Sequence, residues 1–180
     1  MTLRSLPLAA LALVFALVRA SAPAAADTNP EKVFAGKIIT SDKRFPTKAK
    51  SGSAYVAAIR KQSKTNFQED KTTKTWKIYF AAFFRKPLGD IEVEVKLYDN
   101  GQPGRPMIAS FEQYVSERGQ RALLSDFVLE HKLVGVNRDI NMVLEVGGQV
   151  VATGKFKILG EGERYTGKVD FSADETEDEE

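Results

Sequence analysis

The sequence predicts an all-β domain: a single antiparallel β-sandwich, with a small β-barrel as the alternative. Three observations carry that expectation. Apolar residues recur at every second position in several stretches. Turn residues interrupt those stretches at short intervals, and after residue 26 no long apolar period of 3.6 residues appears.

The first 26 residues follow a different logic from the rest. Arg4 supplies a positive start, residues 6–18 form an apolar run broken only by Pro7, and Ala24, Ala25 and Ala26 supply small side chains. Arg19 ends the run well short of the roughly 20 apolar residues a membrane span requires. This is the pattern of a cleavable signal peptide, with processing expected before Asp27 and a second candidate site at Ala20-Ser21-Ala22. The protein is therefore expected to be exported, periplasmic or secreted, with no transmembrane anchor after processing.

Removing the leader takes Arg4 and Arg19 with it, leaving 24 basic residues against 24 acidic ones. The balance conceals a gradient. Residues 27–86 are strongly basic, 87–173 are mildly acidic, and 174–180 add six carboxylates without an apolar side chain. That last run reads as a disordered acidic tail within 172–180. Cysteine is absent, which removes disulfides, thiol nucleophiles and cysteine-based metal sites together. A domain of roughly 150 residues buries enough surface to fold on its core alone.

After a polar lead-in at 27–32, one β domain is expected over 33–171. Ile91, Val93, Val95 and Leu97 alternate with Glu92, Glu94 and Lys96, as in a strand with one buried face. Asp99-Asn100-Gly101 and Pro103-Gly104 stop it, and 107–115 returns. Ile140, Met142, Leu144 and Val146 alternate in the same way before Gly147-Gly148, and 150–159 follows. A two-residue turn would set Leu144 against Val151 and Ile140 against Lys155. A three-residue loop over 146–148 pairs Leu144 with Val150 and Met142 with Ala152, which keeps apolar side chains on one face. It is therefore the expected form, with Gly148 left-handed.

Residues 74–85 are the most hydrophobic stretch after the leader. Trp76, Ile78, Phe80, Ala82 and Phe84 share one face; Tyr79, Ala81 and Phe83 share the other, between Lys77 and Arg85. A strand apolar on both sides reads as a central one. Shorter strands are expected at 33–40, 54–60, 121–129 and 165–171, with a turn of helix within 130–138. The total, about seven to nine strands, resembles the immunoglobulin-like sandwiches in architecture alone, because the disulfide and its tryptophan spacing are missing.

No catalytic, metal or cofactor motif stands out, so none of these is expected. His131 is the only histidine, and the simplest reading makes it a partly exposed loop residue rather than the base for Ser125. Glu92 and Glu94 could serve as the acid pair of a secreted hydrolase, though a solvent face accounts for them equally. The acidic tail lacks the loop spacing of a calcium site.

Lys43, Arg44, Lys48, Lys50, Arg60, Lys61 and Lys64 could cradle a polyanion, but they fall on different expected strands and loops. Aromatic residues are not interleaved among them in a pattern for stacking on single-stranded nucleic acid. The acidic tail could fold back on this basic half. Lys77, Tyr79, Phe83 and Arg85 form the candidate binding surface if the outer face of their strand is open; residues 41–52 or the lead-in would otherwise cover it. The expected function is a non-enzymatic binding or scaffolding module whose partner is a protein or an anionic envelope surface, with no specific nucleic acid. A hydrolase, or a subunit assembling by strand addition, is the alternative.

Overall fold

A computed structural model describes residues 29–161. The expected signal peptide at 1–26, the strand at 165–171 and the tail at 172–180 lie outside the described residues.

The all-β expectation holds. The elements run α1 (Pro30–Val33), β1 (Lys37–Ser41), α2 (Gly52–Gln62), β2 (Asn66–Gln68), β3 (Thr75–Phe83), β4 (Glu92–Asp99), β5 (Met107–Tyr114), β6 (Ala122–Glu130), α3 (His131–Val134), β7 (Arg138–Val146) and β8 (Gln149–Leu159). All eight strands belong to one sheet in the order β5-β4-β7-β8-β1-β3-β6, with β2 beside β8. The sheet curls into a half-barrel and is mixed rather than purely antiparallel. β1 and β2 both run parallel to β8, joined by the crossover through α2.

Alternation decides which side chains enter the concave face. Val93, Val95 and Leu97 are fully buried there, with Val95 opposite Leu144 and Leu97 opposite Met142. Ile91 is 43% exposed, because it precedes the first residue of β4 and lies beyond the covered part of the sheet. Phe80, Phe127 and Phe156 fill the centre, with ring centroids 5.9 and 6.2 Å apart along the series. Each such ring contributes about 1.5–3 kcal/mol by leaving water. Trp76 closes one end, where its indole N–H donates to the Leu159 carbonyl at 3.0 Å.

The β7–β8 turn corrects the expected loop. Val146 pairs with Gln149, so the loop is the two-residue Gly147-Gly148, with φ of 55° and 76°. Two consecutive left-handed residues suit the strand twist and favour glycine. The apolar faces still match, because a one-residue bulge follows: Glu145 opposes Val150, whereas Leu144 opposes Ala152. The bulge restores the parity that the tight turn alone would have broken.

The expected strand at 54–60 is helix α2, and 33–40 divides into the end of α1 and β1. The local signals for α2 are present in hindsight. Ser51 caps it, its hydroxyl accepting from the Ala54 N–H at 3.2 Å, and Val56 and Ile59 fall three residues apart on its buried side. An alanine-rich segment without a β-branched run has no reason to stay extended. The turn of helix expected within 130–138 is present as α3.

Candidate functional site

β3 is buried on both faces, as its composition requires. Trp76, Ile78, Phe80, Ala82 and Phe84 join the concave core. Ala81 and Phe83 join a second cluster with Phe34, Phe45, Val56 and Ile59. Phe34 comes from the end of α1, Phe45 from the 42–51 segment, and the other two from α2. The outer face of β3 is therefore covered, and Phe83 is only 1% exposed, its ring 5.2 Å from that of Phe34. Phe83 thus follows the covered alternative rather than the open one.

The same covering layer disperses the four expected surface residues. Phe83 lies beneath it. Lys77 and Tyr79 stay together at its margin, the ammonium 5.3 Å from the centre of the phenol ring and 3.7 Å from Asp126. The neighbouring Tyr79 hydroxyl and then the Asp126 charge hold the Lys77 pKa above its ordinary value. Arg85 leaves for the end of the sheet where β3 finishes.

What the layer brings together is the basic set. Between residues 43 and 64 the chain carries seven Lys or Arg and no Asp or Glu. Folding places all of them on the 42–51 segment, on α2 or just after it. A cavity of about 470 Å³ opens where β1 ends and α2 ends, lined by Ser41, Asp42, Lys43, Lys61, Gln62 and Lys64 among others.

Its walls are fixed by backbone pairing. The Lys64 N–H donates to the Thr40 carbonyl at 2.8 Å, and the Thr40 hydroxyl donates to the Lys64 carbonyl at 2.7 Å. The Ser41 hydroxyl oxygen accepts the Lys43 N–H at 3.0 Å. Lys64 donates to Asp42 at 2.7 Å, and that hydrogen bond is the main reason the Asp42 carboxyl titrates below its ordinary range. Lys43 and Lys61 have no ion pair among the described residues.

The chemistry of this cleft follows from charge. Three ammonium groups oppose one carboxylate, so its lining is net cationic. The C-terminal carbonyls of α2 oppose an anion with the equivalent of about half an elementary charge, which the lysines outweigh. The Gln62 Oε1 is buried without a hydrogen-bond partner among the described residues.

A second cavity of about 310 Å³ lies on the other side of the 42–51 segment, between Arg44, Phe45, Thr47, Tyr79 and Asp126. Ser41 and Tyr79 are cross-strand partners, so the two openings adjoin. Lys77, which the sequence pointed to for a different reason, thereby borders the basic face.

The remaining expected groups are separated. His131 Nδ1 meets Glu69 Oε1 at 2.6 Å, and its ring stacks on Trp76. Ser125 faces the concave side and Asp126 the convex side of β6. Glu94 accepts from Lys96 and Ser110, and both hydrogen bonds hold it ionised to lower pH. No protein-family model matches the chain, and no curated protein matches it in sequence.

Proposed function

We propose that the protein is an exported, non-enzymatic binding module that attaches to an anionic polymer or surface of the cell envelope through this basic face. One observation carries the reading. A stretch of 22 residues (43–64) with seven cations and no carboxylate is folded onto one side of the half-barrel, around a cationic cleft. Clustered charge of one sign with low-dielectric walls concentrates counter-ions and speeds their capture. Phosphate, sulfate and carboxylate groups all meet the requirement, and the leader pattern at 1–26 supports a site of action outside the cytoplasm.

The test is titration of residues 27–180 with heparin as a generic polyanion, at low and at physiological salt. Saturable binding that weakens as salt rises is expected. Lys43→Ser combined with Lys61→Ser, both exposed and without ion pairs, lowers affinity about thirtyfold, at roughly 1 kcal/mol for each cation near an anionic surface. Absence of binding at low salt, or equal binding by the double variant, overturns the proposal.

A further inference from the structure

We propose that a second, separate site lies at the end of the half-barrel where β3 finishes, and that it takes a single-chain anionic amphiphile, a carboxylate on an alkyl chain. A groove of about 430 Å³ runs there between residues 84–89 and the β7–β8 hairpin. Its apolar surface comes from Phe84, Leu88, Val146, Val150 and Val151. Phe84 and Leu88 form a buried floor, whereas Val150 on the hairpin is 58% exposed. A β-branched apolar side chain left in water beside a groove gains by being covered, at roughly 25 cal/mol per Å².

The groove is held open by pairing rather than by chance placement. The Phe84 N–H donates to the Arg121 carbonyl at 2.8 Å, the Leu88 N–H donates to the Gln120 carbonyl at 3.0 Å, and the Gly119 N–H returns to Leu88 at 2.8 Å. Opposite, the Gly147-Gly148 turn fixes the hairpin. The volume lies within the range of small-molecule sites, which are mainly apolar with a few placed polar groups.

Charge selects the ligand class. Arg85 and Lys86 line the groove, no Asp or Glu does, and neither cation has an ion pair among the described residues. Arg85 is also pre-positioned. Its side chain lies across Gly36, where a Cβ would come within 2.7 Å of the guanidinium Nε. Gly36 has φ of +73° and donates to the Phe83 carbonyl at 2.7 Å, so glycine meets both the backbone angle and the close approach. A guanidinium beside an apolar groove suits a carboxylate head, with the alkyl chain covering Val150 and Val151. A purely polar anion would leave Val150 in water, and a cationic amphiphile would meet like charges.

The experiment is calorimetric titration of residues 27–180 with dodecanoate below its micelle concentration, alongside dodecyltrimethylammonium. One saturable dodecanoate site per chain is expected, with little binding of the cationic analogue. Val150→Asp, a change at an exposed position, weakens dodecanoate about tenfold or more by placing a carboxylate in the groove. Arg85→Ala with Lys86→Ala weakens it comparably, and both variants keep their heparin affinity if the two sites are separate. Non-saturable uptake, equal binding of the cationic analogue, or dodecanoate affinity unchanged in both variants overturns the proposal. Loss of heparin binding in the Lys43/Lys61 variant with dodecanoate intact leaves this site standing on its own.

Discussion

The hydroxyl of Ser125 on β6 donates to the side-chain oxygen of Gln113 on β5 at 2.6 Å. These are the two terminal strands of the sheet, and no backbone ladder joins them among the described residues. Beside the bond, the rings of Phe111 and Phe127 stand 5.2 Å apart. The half-barrel therefore draws its edges together with side chains rather than with main-chain hydrogen bonds. That arrangement satisfies two polar side chains while continuing the aromatic core to the seam.

If the seam contributes to stability in this way, the two rings are energetically coupled. Phe127→Ala should cost about 3–5 kcal/mol, because that ring also touches Phe80 and Phe156. A double-mutant cycle with Phe111→Ala in urea unfolding should return about 0.5–1.5 kcal/mol of coupling. Strict additivity would mean that the edges do not support each other.

The outer layer yields a contrast within one strand face. Phe83→Ala should lower stability by about 3–5 kcal/mol, since it empties a site enclosed by Phe34 and its neighbours. Tyr79→Ala, half-buried beside Lys77, should cost only about 1 kcal/mol. Thermal or urea unfolding distinguishes them; a small loss at Phe83 would show that α1 and α2 are not docked as described.

Ion pairs on the convex face set the pH response. The Glu94 and Asp42 carboxyls titrate below their ordinary values, principally through hydrogen bonds from Lys96 and Lys64 respectively. Their stabilisation is complete above the unfolded-state values and is lost as pH falls through the folded-state ones. The Lys96 pKa is raised, first by Glu145 and then by Glu94. Its contribution is present below the ordinary lysine value and disappears only in strong alkali. Unfolding midpoints should be level from about pH 5 to 9 and decline below about pH 4, with a smaller acid decline in Lys96→Met. Identical acid profiles for the two proteins would contradict the assignment to Glu94.

Much of this was legible in the order of residues. The alternation at Val93, Val95 and Leu97 placed one face of β4 inward, and the doubly apolar 74–85 marked an interior strand. Parity between Leu144 and Ala152 was also implied, although by a different device from the one expected. The misreading of α2 came from weighing a short apolar pattern without its cap: Ser51 three residues before Ala54 is a helix start. At the candidate site the seven cations were visible, but as scattered positions, because their gathering depends on a helix crossing from β1 to β2.

Local chemistry determined by itself which residues avoid water and where the chain must turn, since side-chain hydrophobicity and left-handed glycines act over a few residues. Only the tertiary structure decided that the strands make one curled sheet, that α1, α2 and Phe45 cover Phe83, and that Lys43, Lys61 and Lys64 share a cleft while Arg85 guards a different groove. Those relationships join positions up to many tens of residues apart, and what fixes them is sheet order and curvature, which no short stretch of sequence encodes.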